Sequence, residues 1–168
     1  MNTAILLIGG NLGDRIGHLQ QATQLIARNA GEIVKASALY ETAPWGNVEQ
    51  PDYLNQALQI ATPLAALPLM HTLLETERQI GRIRQHKWGA RVIDIDMIFY
   101  NDAIINLPDL KIPHPRMQSR QFVLVPLNEI VPGYVHPVLH QSVKELLAAC
   151  PDLLPATRYQ ADTSSTGQ

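Results

Sequence analysis

The chain has 168 residues, 46% of them hydrophobic and 17% charged, enough apolar material for one core and too much for a disordered protein. A formal net charge of -2 excludes a global pull toward nucleic acid or anionic membrane. Cys150 is the only cysteine, which excludes an intrachain disulfide and suits a reducing compartment.

Residues 4–8 are a continuous apolar run, the pattern of a strand buried on both faces. The start of the chain has no basic leader and no later run reaches membrane-spanning length, so a cytoplasmic protein without membrane contact is expected. Gly9-Gly10-Asn11-Leu12-Gly13-Asp14 reads as a tight turn, because it lacks the Lys-Ser/Thr of a phosphate loop. Asp14 is placed to cap a helix over 15–29 with an apolar stripe of Ile16, Leu19, Ala22, Leu25 and Ile26. Residues 32–41 read as a strand, and 42–51 as a loop that displays Trp45.

A further strand over 53–61 puts Tyr53, Asn55 and Ala57 on one face. A second helix is expected to open at Thr62-Pro63 and end at Gly81. Asn101-Asp102 signals a turn, 103–106 a short strand, and Pro108, Pro113 and Pro115 an irregular stretch around His114. Residues 119–127 read as a short buried helix broken by Pro126, and Ser142 with Glu145 as a capping box for a last helix to Ala149. Residues 161–168 are small and polar and expected to be a disordered tail behind a single domain over 1–160. The order β-α-β-β-α-β implies an α+β, ferredoxin-like (split βαβ) antiparallel sheet, two main helices on one face, and a small C-terminal extension. Its other face is expected to be free for a ligand.

The stretch 81–100 carries the chemistry. Its second half alternates, so Asp94 and Asp96 share a strand face with Cα atoms about 6.5–7 Å apart, while Ile93, Ile95, Met97 and Phe99 take the other. Two carboxylates at that spacing can hold hard cations. Arg78, Arg82, Arg84, Lys87 and Arg91 gather five of the chain's 13 Lys+Arg residues, a local anion site. Carboxylates for metal beside arginines for phosphate is a phosphoryl-transfer layout. By itself the Asp-x-Asp reads more readily as the solvated face of an ordinary strand; the Trp-Gly turn and the arginine before the strand shift the balance toward a site. His18, His71, His136 and His140 have no metal-ligand spacing.

Six stretches in order resemble the 6-hydroxymethyl-7,8-dihydropterin pyrophosphokinase family. They are Gly9 to Asp14, Thr42-Ala43-Pro44-Trp45-Gly46, Gln50-Pro51-Asp52-Tyr53-Leu54-Asn55, Gly81-Arg82-Ile83-Arg84, Trp88-Gly89-Ala90-Arg91-Val92-Ile93-Asp94-Ile95-Asp96, and Pro113-His114-Pro115-Arg116. Arg120 and Phe122 extend the resemblance, which runs over about residues 4–150. It implies diphosphoryl transfer from ATP to a pterin alcohol, with ATP as co-substrate and two Mg²⁺ ions on Asp94 and Asp96. It implies Arg82, Arg91, Asp94 and Asp96 as the catalytic set, and Arg82, Arg84, Arg91, His114, Arg116 and Arg120 as ATP contacts. It implies a pterin pocket of Thr42, Ala43, Pro44, Trp45, Tyr53, Asn55, Trp88 and Phe122, and a movable basic flap over 81–89.

The chain departs from the family at Gly10, where Ser is usual, at Ala43 and Ala90, where Pro is frequent, and at Lys87, where Arg is common. Lys87 keeps the charge and loses the bidentate fork. Glu77 either orients an arginine or is a solvated helix-face carboxylate. A monomer acting on small molecules is expected. Two rivals remain: a single-stranded RNA binder, which leaves two aspartates on one strand face unexplained and lacks the aromatic-rich RNA-binding strand, and a two-metal phosphohydrolase, which would consume ATP without a pterin.

Overall fold

A computed structural model describes residues 1–44, 49–81 and 92–160. In chain order these form β1 (Asn2–Gly10), α1 (Arg15–Asn29), β2 (Glu32–Ala36), β3 (Tyr40–Thr42), β4 (Tyr53–Thr62), α2 (Ala66–Ile80) and β5 (Asp94–Tyr100). There follow β6 (Ile105–Asn106), β7 (Lys111–Ile112), α3 (Gln121–Ile130), α4 (Val143–Ala148) and β8 (Thr157–Arg158). The main sheet runs β5-β1-β4-β3-β8, with β2 also on β4 and all neighbours antiparallel; β6 and β7 make a separate hairpin.

Apolar residues leave the sheet on both sides. On one, Ala4, Leu6, Ile8, Leu58, Ile60, Ile95 and Met97 pack with Leu19, Ala22 and Ile26 of α1 and Leu69 and Leu73 of α2. On the other, Ile5, Leu7, Ala57, Ile98 and Phe99 pack with Val123, Leu124, Leu127 and Ile130 of α3 and Val143 and Leu146 of α4. The second face is therefore covered over much of its area, not left free. The reason is compositional: β1 and β5 are buried along almost their whole length, so both of their faces need partners.

Phe99 also differs from its expected side. The β1–β5 register jumps between Ile5, which pairs with Phe99, and Leu6, which pairs with Met97. Ile98 is thus an extra residue, and a one-residue insertion turns every following side chain to the opposite face. Asp94 and Asp96 lie before the bulge and keep a common face.

The strand expected over 32–41 is two. The Ser37 hydroxyl accepts the Ala57 N–H at 2.9 Å while its own N–H donates to the Ala57 carbonyl at 2.9 Å, so a side chain replaces a ladder bond and the chain jogs. α2 begins at Ala66, four residues later than expected, because β4 continues to Thr62, whose hydroxyl donates to the Ala30 carbonyl at 2.6 Å. Pro68 then sits in the first helical turn, where its missing N–H has no partner to lose.

Pro126 does not break α3, which runs through it to Ile130. One helical bond is lost, but Val123, Leu124, Pro126, Leu127 and Ile130 are all buried, and that burial exceeds a single bond. The Ser142/Glu145 capping box is present at α4. The short strand β8 has no counterpart among the expected elements. The tail expected over 161–168 lies outside the described residues.

His136 closes the 131–143 connection. Its ring is buried with its edge on Phe99, and Nδ1 accepts the N–H groups of Val138 at 3.2 Å and Leu139 at 3.0 Å. Both bonds need an unprotonated Nδ1, and burial, then His140, push its pKa below the ordinary 6.5. A lowered folded pKa stabilises the fold fully above 6.5 and loses that contribution as pH falls below it. Melting curves from pH 7.5 to 5 should decline less steeply in His136→Asn, whose amide oxygen accepts without titrating. Parallel declines would refute the assignment.

Candidate active site

β1 and β3 finish, and β4 and β5 begin, at one end of the sheet. Gly9 pairs with Asp94 on one side and Asn55 on the other, Asp96 pairs with Leu7, and Thr42 pairs with Tyr53. Directly paired residues share a face, so Asp94, Asp96, Asn55, Tyr53 and Thr42 all lie on the α3 side. Three strands, β3, β4 and β5, with β1 between β4 and β5, bring these five side chains to one end of one face.

Their environments differ in a useful way. Asp94 and Asp96 are half-buried on the edge strand, whereas Asn55 and Thr42 are buried at 6% and 4% exposure. The Thr42 hydroxyl has no hydrogen-bond partner among the described residues. A buried polar atom left so costs about 1–3 kcal/mol, which a bound polar ligand can offset. Ala43 is exposed and Pro44 half-buried at the rim.

Phe122, at the start of α3, packs at the margin of the same-side core, and the Arg120 guanidinium lies 5.7 Å over its ring. His114 lies along the free edge of β5, its N–H donating to the Ile98 carbonyl at 3.0 Å. Burial lowers its pKa, Arg120 lowers it further, and Asp94 opposes both, so these three groups feel one another's charge. Its Nδ1 is buried without a partner among the described residues. Arg116 is exposed on the same loop.

Among the described residues no cluster of three or more His, Cys, Asp or Glu could hold a metal. The donor set at Asp94 and Asp96 is all hard oxygen and only two carboxylates strong. That suits Mg²⁺, which keeps waters and shares its shell with substrate phosphates, and suits no metal needing a full protein cage. Trp45, Arg82, Arg84, Trp88 and Arg91 lie outside the described residues, as does most of the expected flap.

Three supporting residues act in ways the sequence alone does not indicate. Gly9 reads as turn and is a strand residue: a Cβ there would stand 2.0 Å from Asn55 Oδ1 and 2.9 Å from the Leu54 carbonyl. The Asn55 amide lies where a side chain would be, a close approach only glycine permits. Asn11, 1% exposed, donates to Gln50 Oε1 at 3.2 Å and to the Pro51 carbonyl at 3.1 Å, tying the 49–52 segment to the end of β1. Glu77 of α2 accepts the Ile95 N–H at 2.6 Å on the outer edge of β5, between the two aspartates. The pairing of Gly9 with the Asn-bearing strand is invisible locally.

Hard oxygen donors thus stand at one strand edge, with a buried amide and a buried hydroxyl on the neighbouring strands. The family model for 7,8-dihydro-6-hydroxymethylpterin-pyrophosphokinase (HPPK) matches residues 5–132, and the chain belongs to that family. It is 41% identical over 145 residues to the 2-amino-4-hydroxy-6-hydroxymethyldihydropteridine pyrophosphokinase of Synechocystis, covering 86% of this chain and 74% of that protein. With the protein of the same name from Methylorubrum extorquens it shares 40% identity over 149 residues, 88% of this chain and 93% of the other. The crystal structure of wild-type Plasmodium falciparum HPPK-DHPS with SDX-DHP has a similar fold, at a TM-score of 0.73 and 20% identity. That match covers 89% of this chain and 43% of the longer one, so the chain spans less than half of it.

Proposed function

We propose that the chain transfers the diphosphoryl group of ATP to the hydroxymethyl group of 6-hydroxymethyl-7,8-dihydropterin, releasing AMP, in folate biosynthesis. Family membership supports the reaction, and one observation carries it to residues: Asp94 and Asn55 flank Gly9 on a single sheet face. Asn55 donates and accepts along the pterin edge, Thr42 offers its orphan hydroxyl, and Phe122 stacks on the ring. Tyr53, Ala43, Pro44, Trp45 and Trp88 complete the pocket.

Asp94 and Asp96 hold two Mg²⁺ ions, which when bound offset the triphosphate's charge. Arg82, Arg84, Arg91, His114, Arg116 and Arg120 bind ATP, chiefly its phosphates. The pterin hydroxyl oxygen bonds to the β-phosphorus, the bond from the β-phosphorus to the α,β-bridging oxygen breaks, and AMP departs with that oxygen while the hydroxyl proton is lost. The work of the protein is alignment and charge stabilisation. A basic flap over 81–89, with glycines at its ends, would close to exclude water as competing acceptor.

The order β5-β1-β4-β3 around two β-to-α-to-β units supports a ferredoxin-like reading of one domain over 1–160. No helix among the described residues is long and apolar enough to cross a membrane. We read the protein as a cytoplasmic monomer whose partners are its two small-molecule substrates.

AMP release from ATP, followed with and without the hydroxymethyl pterin at fixed Mg²⁺, tests the function. Pterin-dependent AMP supports it; phosphate release that ignores pterin would transfer the site to a hydrolase. Arg82→Ala should slow turnover by about 10- to 100-fold, the worth of one charge-assisted bond made to the phosphates, with pterin affinity nearly unchanged. A collapse of pterin affinity at normal turnover would contradict that role.

A further inference from the structure

Arg120 and Phe122 stand on either side of Gln121, the first residue of α3, and this helix start lacks a cap of its own. Arg120, at the capping position, makes no side-chain cap bond. The acceptor comes from 31 residues downstream: Asp152 Oδ2 accepts the Gln121 N–H at 3.0 Å, and the Asp152 carbonyl accepts from Gln121 Nε2 at 3.0 Å. The second carboxylate oxygen, Oδ1, accepts the Leu154 N–H at 2.9 Å, which locks Asp152 into its own turn. Asp152 is only 8% exposed and lies past residues 5–132, the part that the family model matches.

We propose that Asp152 is a positioning residue of the active site, setting the first turn of α3 and, through it, the Arg120 guanidinium and the Phe122 ring. The proposal rests on the reading of those two as substrate contacts. The far end of α3 is tied independently, by Lys35 Nζ to the Ile130 carbonyl at 3.2 Å and by Glu129 to Tyr40 and Ala38. Loss of Asp152 therefore frees the substrate end of the helix and leaves the other end anchored. Its charge also satisfies the positive end of the helix, where a phosphate could otherwise settle. ATP is left to the arginine side chains.

A cap of this kind could equally serve stability alone, so the test separates the two. Asp152→Asn keeps the size but turns one acceptor oxygen into a donor that faces a backbone N–H. The full chain as wild type, Asp152→Asn, Phe122→Ala and the double variant are compared by pterin fluorescence titration and by kcat for AMP release. All measurements are made at a temperature where melting curves show each variant folded. Asp152→Asn should raise the pterin Kd about tenfold and lower kcat, and it should add little further loss of pterin affinity once Phe122 is alanine, since toward the pterin the two act through one contact.

Wild-type Kd and kcat in Asp152→Asn with only a lower Tm overturn the proposal, and so does an undiminished tenfold loss in the double variant. If Asp152→Asn is not recovered folded, Asp152→Glu, which moves both acceptors one methylene outward, enters the same cycle and is read in the same way. Wild-type pterin binding by Phe122→Ala would bring down the site reading and the proposal with it. Impairment of Phe122→Ala alongside a wild-type Asp152→Asn brings down the proposal alone.

Discussion

On the proposed reading, Asp96→Ala should lower pterin-dependent AMP release by on the order of 10³-fold or more, because it removes one of the two carboxylates that would hold the metal ions whose charge offsets the triphosphate. The fold should survive. Asp96 is half-buried on an edge strand, opposite Leu7 and one residue from the Ile95 N–H that Glu77 accepts. Thermal melting without Mg²⁺ should show Asp96→Ala still unfolding in a single cooperative transition. Mg²⁺ should raise the melting temperature of wild type, with ATP present, and do so far less in the variant. Undiminished turnover at saturating Mg²⁺ would remove Asp96 from the metal site.

Gly9→Ala is the second large effect, and it acts through space instead of charge. The new methyl would meet Asn55 Oδ1 at 2.0 Å and the Leu54 carbonyl at 2.9 Å. The amide can swing away; the backbone oxygen, held in the β1–β4 ladder, cannot. Overpacking of this kind costs about 1–3 kcal/mol, and on the proposed reading a displaced Asn55 amide loses its register with the pterin edge, for a loss of about 10²-fold or more in pterin binding. ATP binding should change little, since His114, Arg116 and Arg120, its proposed contacts among the described residues, lie on other segments. Pterin titrations of Gly9→Ala and Asn55→Ala should then agree closely. If Gly9→Ala binds pterin normally, the Asn55 amide is not placed by that close approach.

The legible features share a physical basis. The common face of Asp94 and Asp96 follows from the two-residue period of a pleated strand, which needs nothing outside the segment, and the fold keeps it. Phe99 obeys the same rule in isolation and breaks it in the fold, because an extra residue at Ile98 is accommodated by pairing with β1 roughly ninety positions away. The Ser142/Glu145 box is readable because both partners lie within one turn. Ser37, Glu77 and Asp152 are not, since each side chain bonds to a backbone group on another element, and an isolated Ser, Glu or Asp looks the same whether it caps, bridges or faces water. Glu77 in particular carries two readings in the sequence, and its bond to the Ile95 N–H is at odds with a purely solvated carboxylate.

Family and reaction class were determined by the sequence alone, because they rest on which residue types occur in which order. Six ordered motifs and an Asp-x-Asp suffice for that, whatever their distances. Only the tertiary structure decided that Gly9 stands between Asp94 and Asn55, that α3 and α4 cover much of the sheet face expected to be open, and that α3 takes its cap from Asp152. Each of these depends on register or packing between segments tens of residues apart. Such contacts are selected by the energy of the whole core, and no local pattern of side chains encodes them.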